Sequence, residues 1–312
     1  MLNDSTVWFA SNHGVYGFTN DNGNTWHIDS IKIDSVYPEF RSIAALNDST
    51  ILLLCIGSPA YLFKTTNSGK KWRVVYFNKR KDIFFDSMKF KNSKEGIAIS
   101  DPIDGCYQII KTRDGGESWK QVDCSNIPKA VEGEACFAAS NTCIAVFENN
   151  VWYATGGKNA RVFYSNDFGE HFITYHTPII KGETMTGIYS IDFCNKNFGV
   201  ISGGNYDKTE SSITSIAITN NGGKTWKEVK TEIPFFGSCV QISSVKNKIR
   251  KLIVTGHNGT FEINSKGKHL KQIIKADGEQ LKFNTLRFSK QNNHVIWLAG
   301  SNGKIARIVI DK

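Results

Sequence analysis

Short hydrophobic runs separated by turn-forming residues extend along the whole chain. Residues 188–229 are representative, with the runs "IYSIDF", "FGVISGG", "SIAITNN" and "TWKEV", each rich in Ile, Val, Phe, Ser or Thr and bounded by Gly, Asn or Lys. Runs of this kind are typical of β-strands joined by hairpins. No segment of comparable length has the 3.6-residue period of an amphipathic helix. The pattern predicts an all-β protein built from units of four strands, which we call A, B, C and D.

An octapeptide recurs six times along this pattern. The copies are TNDNGNTW at 19–26, TTNSGKKW at 65–72, TRDGGESW at 112–119, SNDFGEHF at 165–172, TNNGGKTW at 219–226 and a degenerate INSKGKHL at 263–270. Consecutive copies end 44 to 54 residues apart. Four antiparallel strands repeated at this spacing indicate a β-propeller, in which each repeat is one blade.

Each octapeptide falls on the predicted turn between strands C and D. Asp or Asn at its third position can accept backbone N–H bonds, and Gly at its fifth supplies a backbone angle that other residues resist. The final Trp begins strand D, where it can pack between neighbouring sheets. No copy has the alternating acids and final Glu of a calcium loop. We therefore interpret the octapeptide as a turn that locks a hairpin, and we predict no metal site in it.

The composition excludes several classes of protein. The chain has 312 residues, 40% of them hydrophobic, which is enough for a large core in one folded domain spanning 1–312. Its net charge of +9 comes from scattered lysines, which favours a solvated surface over a nucleic-acid site. No run of 18 apolar residues predicts a transmembrane segment. Seven cysteines, an odd number without CxxC or zinc-ligand spacing, argue against a disulfide framework.

The octapeptides match the Asp-box (BNR) pattern, Ser/Thr-x-Asp-x-Gly-x-Thr-Trp. Together with "WLAGSNGKIARI" at 297–308, they make the chain resemble the photosystem II assembly/stability factor propellers. The segments "SDPIDG" at 100–105, "EGEACFAAS" at 132–140 and "YATGG" at 153–157 resemble their relatives in non-photosynthetic bacteria, which are often labelled oxidoreductase or glycosyl hydrolase. Asp-boxes occur in sialidases, sorting receptors and assembly factors alike, so the resemblance predicts the fold more sharply than the function.

The resemblance implies seven blades, and the strand pattern nearly agrees. Residues 1–30 supply strands B, C and D of a first blade, and residues 284–310 supply A, B and C of a last one. Both terminal blades are therefore incomplete, and six blades are the alternative. We expect that the chain begins inside a blade of a longer precursor. Because proteins of this family are commonly exported, we also expect a location in the periplasm or cell envelope, although no signal peptide is visible.

Strand alternation places the D–A and B–C loops on one face of the ring and the octapeptides on the other. The long connections, at 29–40, 123–133, 176–187 and 204–213, all lie on the first face, which we call the loop face. Long loops on a rigid scaffold are the usual position of binding sites. The sequence therefore predicts that this protein binds its partner through the loop face.

The predicted A strands begin at the mouth of the central channel. Aligning them places six polar residues at one equivalent position: Arg41, Asp86, Glu134, Tyr189, Ser238 and Asn284. Further polar residues fall nearby on the same face: Asp101, Asp104, Glu132, Asn205 and His257. We predict that these residues, apart from His257, form a ligand-binding ring. A water-filled channel lined by polar groups would give the same pattern.

Two functions fit this ring. A sialidase needs three converging arginines, a Tyr nucleophile activated by Glu, and an Asp that acts as acid and base. The Arg-Ile-Pro motif of sialidases is absent here, and Arg41 is the one arginine that falls in the ring. Other glycosidases need two carboxylates, for which Asp86 with Glu134, or Asp101 with Glu132, are weak candidates. No cofactor motif such as GxGxxG on a strand–helix junction is present. We therefore predict a non-catalytic, assembly-factor-like scaffold that binds a protein, peptide or glycan, with a glycoside hydrolase as the alternative.

Overall fold

The computed structural model describes residues 1–209, 212, 215–231, 233–245, 248–264, 270–274, 282–289, 291–292 and 294–310. Positions 265–269 of the sixth octapeptide, and positions 210, 211 and 213 of the predicted loop 204–213, lie outside the described residues. Among those described, there is no apolar helix with the length of a membrane span. In the described ranges, regular structure includes short strands and the 3₁₀ turns Cys124–Asn126 and Ser301–Gly303.

The strands form a seven-bladed β-propeller, which confirms the predicted fold. In chain order they are β1 (Val7–Ala10), β2 (Val15–Thr19), β3 (His27–Ser30), β4 (Phe40–Ala45), β5 (Ile51–Cys55), β6 (Ala60–Thr65), β7 (Arg73–Asn78), β8 (Phe85–Phe90), β9 (Gly96–Ile103), β10 (Cys106–Thr112), β11 (Lys120–Gln121), β12 (Glu134–Ala135), β13 (Ile144–Phe147), β14 (Asn150–Ala154), β15 (Gly156–Gly157), β16 (Arg161–Ser165), β17 (Ile173–His176), β18 (Thr186–Phe193), β19 (Gly199–Asn205), β20 (Ile216–Thr219), β21 (Lys227–Glu228), β22 (Cys239–Val245), β23 (Lys248–Gly256), β24 (Gly259–Ile263), β25 (Leu270–Gln272), β26 (Thr285–Phe288), β27 (Val295–Ala299) and β28 (Ile305–Val309).

The two terminal blades have three strands each, as predicted, and the five between them have four. Blade 1 is β1-β2-β3 and blade 7 is β26-β27-β28. Blades 2, 3 and 6 are β4–β7, β8–β11 and β22–β25, blade 4 is β13-β14-β16-β17, and blade 5 is β18–β21. The short strands β12 and β15 extend the sheet of blade 5 at its β18 edge. Sequence reasoning did not anticipate this extra pair.

The hydrophobic core is divided among the interfaces between adjacent blades. Seven clusters of buried side chains in the described residues each join two neighbouring blades. Leu54 of blade 2 packs in one cluster with Ile110 of blade 3, for example, and Val200 of blade 5 packs with Val254 of blade 6. Each blade is therefore stabilised by both of its neighbours, because a four-stranded sheet buries both of its faces only inside the ring.

The ring closes by side-chain packing between blades 7 and 1. Val7, Val295 and Trp297 are the buried residues of this interface, and the rings of Trp297 and Trp26 meet edge to face at 5.9 Å. A hydrogen bond from Ser289 to Asp4 adds a polar contact. In the part of the chain that the structure describes, the two blades share no strand, and neither an inner A strand of blade 1 nor an outer D strand of blade 7 is present.

The first five octapeptides lie on the C–D turns, and some of them also join neighbouring blades. At Asp114, the carboxylate Oδ1 accepts the N–H groups of Glu117 at 2.9 Å and Ser118 at 3.0 Å, which holds the turn together. The carbonyl of Gly115 accepts a 2.8 Å bond from Lys64 Nζ of the preceding blade. In the same way, the carbonyl of Gly222 accepts the indole N–H of Trp152 at 2.9 Å.

One disulfide is present, between Cys106 of β10 and Cys124 of the following 3₁₀ turn. The disulfide joins the connection that follows β11 to the start of β10, at the loop face. The other five cysteines are reduced and buried, which agrees with their positions in apolar runs.

Candidate functional site

The two faces of the ring differ in exposed apolar surface. Six large hydrophobic side chains that are exposed lie on D–A or B–C loops: Val36, Tyr37, Phe84, Val131, Tyr206 and Ile233. The other five in the described residues lie on outer strands: Ile28, Val74, Phe77, Ile173 and Val309. The described octapeptide turns contribute none. Exposed apolar residues grouped on one face are typical of interaction surfaces.

The predicted ring corresponds to a row of β-bulges at the start of the A strands. Arg41, Asp86 and Tyr189 are the extra residues where the register shifts by one. Ser238 and Asn284 immediately precede β22 and β26 at the same level. A bulge turns its side chain away from the regular pleat, which explains why polar residues recur there.

Glu134 does not occupy this position, so the predicted alignment of blade 4 is wrong. The A strand of blade 4 is β13, and the N–H of Ala154 bonds to the carbonyl of Cys143 just before it. Thr142 therefore takes the bulge position. Glu134 lies in β12, which the strand pattern of the other blades does not contain.

The mouth of the channel is closed by the segment 139–142. The side-chain oxygen of Asn141 accepts the hydroxyls of Ser42 and Ser87, each at 2.8 Å, and the N–H of Met88 at 3.1 Å. From the opposite side, Arg287 donates to the carbonyl of Asn141 at 3.2 Å. The segment thus bonds to blades 2, 3 and 7 across the axis, and a cavity of about 630 Å³ remains on the octapeptide side of it.

Glu134 is neutralised inside the protein. Its carboxylate accepts Nε of Arg161 at 2.9 Å and a second bond from Nη2, as well as the hydroxyl of Thr155 at 2.6 Å. Both charged groups are buried. This carboxylate is fully used in a structural ion pair, which argues against a role in acid–base chemistry.

Asp86 and Asp101 lie together beneath the loop face. Asp86 is completely buried, and neither of its carboxylate oxygens has a hydrogen-bond partner of ordinary geometry among the residues described. Asp101 is partly exposed and accepts the N–H of Cys136 at 2.8 Å. Burial raises the pKa of Asp86 well above its usual value, and the neighbouring Asp101 adds to this effect. Burial also raises the pKa of Asp101, to about 6.

The remaining predicted residues are dispersed. Asp104 and Glu132 are almost fully exposed and lie near Arg80 and Lys158. Ser238 is buried, and its hydroxyl donates to the carbonyl of Thr255, whereas Asn284 is partly exposed. Asn205 is buried and donates to Glu183 at 3.1 Å. Arg41 remains exposed, with Glu39 3.8 Å away.

An aromatic cluster on the loop face joins blades 5 and 6 with the connection before blade 4. It consists of Phe137, Tyr189, Tyr206, Phe236 and His257, which we call the aromatic cluster. Phe137 stacks on Tyr189 at 3.9 Å between ring centroids, and Tyr206 contacts Phe236 at 5.6 Å and His257 at 5.1 Å. Tyr206 is 43% exposed, so the cluster reaches the surface.

Sequence reasoning found only part of this cluster. Tyr189 and His257 were predicted near the channel mouth, but Phe137, Tyr206 and Phe236 were missed. Tyr206 and Phe236 lie in connections of the predicted binding face, whereas Phe137 falls in the apolar run that the sequence assigned to the A strand after Glu134. Their contact depends on three separate connections and has no local signature.

The arginines of the loop face do not converge. Arg161 bonds to Glu134, Arg287 bonds to the backbone of 140–141, and Arg41 lies near Glu39. Asp86 and Asp101 are close enough to act as a carboxylate pair, but Asp86 is completely buried beneath the surface. A sugar ring cannot contact both groups in this arrangement, and retaining glycosidases need both beside the scissile bond.

The fold is a seven-bladed propeller whose loop face carries exposed apolar and aromatic side chains. Solved structures share this fold. YCF48 bound to a D1 peptide has a TM-score of 0.67 at 13% identity, with 99% of this chain and 91% of that chain covered. YCF48 from Cyanidioschyzon merolae has a TM-score of 0.68 at 13% identity, with 99% and 94% covered. An ancestral GH74 enzyme has a TM-score of 0.69 at 14% identity, but the match spans only 43% of that enzyme.

At these identities the similarity establishes the fold alone. No protein-family model matches the chain. No curated protein has a significantly similar sequence.

Proposed function

We propose that this protein is a non-catalytic scaffold that binds a protein or peptide partner through its loop face. The observation that carries the proposal is the aromatic cluster, which reaches the surface at Tyr206 among exposed apolar side chains of the same face. Tyrosine is one of the residues most enriched at binding hot spots, because it buries a large area with little loss of side-chain entropy.

Polar groups border the cluster. Lys208 contacts Glu183 at 3.0 Å, and Asn205 bonds to the same carboxylate. An apolar centre with a polar rim is the usual anatomy of a protein interface. YCF48, which shares the fold, has been solved with a peptide bound, and this supports a peptide partner for the present chain.

The test begins with peptides selected from a displayed library against the purified protein. Their affinities are then measured for the wild type, Tyr206→Ala and Phe77→Ala. Phe77 is the matched control, because it is also an exposed aromatic residue, 53% exposed, but lies on the outer strand β7. We expect Tyr206→Ala to weaken binding about 10-fold or more and Phe77→Ala to leave it unchanged.

Two results would contradict the proposal. One is that the selected peptides bind Tyr206→Ala and a Tyr206→Ala/His257→Ala double variant as tightly as the wild type. The other is that a glycan array, but no peptide, gives binding that Tyr206→Ala abolishes, which would assign the face to a carbohydrate. Circular dichroism of each variant verifies that the propeller is intact.

A further inference from the structure

Three potential metal ligands meet in the interior between blades 3 and 4. They are Asp86 at the start of β8, Asp101 in β9 and Cys136 just after β12, and we call them the Asp-Cys cluster. One carboxylate oxygen of each aspartate and the thiol sulfur all lie within 4.8 Å of one another. Cys143, which is also buried, lies beside the Cys136 thiol.

Asp86 is the feature that a packed interior does not explain. It is fully buried, and neither oxygen makes a hydrogen bond of ordinary geometry to a described residue, although the nearby backbone N–H of Asp101 acts to lower its pKa. An unpartnered buried carboxylate is strongly unfavourable, and buried polar groups without partners call for an unseen ion or water. The carboxylate of Asp101 and the thiol of Cys136 lie within 4.8 Å of it, and both are themselves ligands for a cation.

Two tyrosine hydroxyls of the same region also lack partners. Tyr107 and Tyr153 pack in one buried cluster with Cys136 and Cys143, and neither hydroxyl has a hydrogen-bond partner among the described residues. Each hydroxyl is therefore a buried polar group without a partner in the packed cluster that contains Cys136. An ion with a coordinated water supplies partners for buried polar groups of this kind.

We propose that the Asp-Cys cluster binds a divalent zinc ion. Zinc accepts thiolate and carboxylate ligands in a tetrahedral arrangement, and the thiol excludes the hard cations Ca²⁺ and Mg²⁺ as preferred occupants. Asp86, Asp101 and Cys136 would supply three ligands, and a water molecule would complete the tetrahedron. Binding replaces the thiol proton of Cys136, which leaves to solvent, by a Zn–S bond.

The position of the cluster suggests what the ion does. Asp86 and Asp101 belong to blade 3, whereas Cys136 belongs to the connection that closes the channel mouth before blade 4. The ion would fasten this connection to the ring. Asp101 is partly exposed, which provides a route for the ion from solvent. This inference is independent of the proposed partner.

The experiment uses the full chain, stripped of metal with a chelator and titrated with ZnCl₂ or CoCl₂. We expect one Zn²⁺ per chain by metal analysis, a higher melting temperature with Zn²⁺, and a thiolate-to-cobalt charge-transfer band with Co²⁺. Cys136→Ser should abolish the cobalt band and weaken Zn²⁺ binding at least 100-fold. Cys55→Ser is the matched control, because Cys55 is a buried free cysteine in blade 2.

Asp86→Asn gives a second test that does not depend on the thiol. It should also abolish Zn²⁺ binding, yet melt at or above the temperature of the metal-free wild type, because it removes an unpartnered buried acid. The proposal is overturned if the wild type binds no Zn²⁺ and shows no cobalt band, as expected for two aspartates that merely share a proton. It is also overturned if Cys55→Ser, rather than Cys136→Ser, loses the band.

Discussion

The guanidinium of Arg161 binds both carboxylate oxygens of Glu134, a residue 27 positions earlier in the chain, and both groups are buried beneath the loop face. Arg161 also donates to the carbonyl of Lys129 at 2.9 Å. The pair therefore connects β16 of blade 4 with the connection that carries β12 and the channel-closing segment. It organises the loop face without presenting a charge to solvent.

Glu134→Gln should lower the free energy of unfolding by about 3–5 kcal/mol, because it leaves the Arg161 charge buried without its counter-ion. Urea denaturation followed by tryptophan fluorescence measures this loss. The control is Glu132→Gln, since Glu132 is 95% exposed and only 3.9 Å from an exposed Lys158. That variant should change stability by less than about 0.5 kcal/mol. Equal losses of unfolding free energy in the two variants would show that the buried Arg161–Glu134 pair does not stabilise the fold more than an exposed ion pair does.

Asn141→Ala should destabilise the protein by about 2–3 kcal/mol, since it leaves the buried hydroxyls of Ser42 and Ser87 without their acceptor. Asn141 also has a positive φ of 54°, which alanine tolerates less well. Asn141→Gly removes the same hydrogen bonds without backbone strain. A loss of stability in the alanine variant only would assign the effect to the backbone and contradict the hydrogen-bond explanation. Urea denaturation of both variants provides the measurement.

Asp114→Ala should cost about 1–2 kcal/mol of stability, whereas Asp114→Asn should be nearly neutral above pH 5. The reason is that Asn67 and Asn221, at the same octapeptide position, make equivalent bonds to backbone N–H groups at 2.9 and 3.0 Å. Burial acts to raise the pKa of Asp114, but hydrogen bonds from Ser118 and Thr112 hold it below its usual value. The wild type should therefore lose stability relative to Asp114→Asn as the pH falls below about 4. A pH-independent difference between the two proteins would refute this account.

Asp192 should make stability fall as the pH rises. Burial raises its pKa to about 6, although the N–H of Ile242 and the charges of Lys89 and Arg287 oppose this effect. The folded state therefore holds a proton that the unfolded chain releases near pH 4, and the stability that this proton contributes is lost between about pH 4 and pH 6. Relative to Asp192→Asn, the wild type should lose roughly 2–3 kcal/mol across this range. Urea titrations at several pH values test this, and a constant difference from pH 4 to pH 7 would exclude it.

The repeated unit could be predicted because its information is local. Strand runs of alternating composition and an octapeptide that bonds to itself specify each C–D hairpin within about ten residues. Repetition then indicated a ring of blades, three strands in each terminal blade, and a loop face opposite the octapeptides.

The site depended on contacts that have no local signature. Glu134 was assigned to a bulge position that Thr142 occupies, because β12 interrupts the repeat. Asn141 closes the channel by reaching Ser42 of blade 2 and Ser87 of blade 3, which are 99 and 54 positions away. Three further features form where separate connections converge on the ring. They are the contact between Asp86 and Cys136, the Cys106–Cys124 disulfide, and the aromatic cluster. Local hydrogen bonding and hydrophobic patterning specify each blade, but closure of the ring decides which side chains become neighbours.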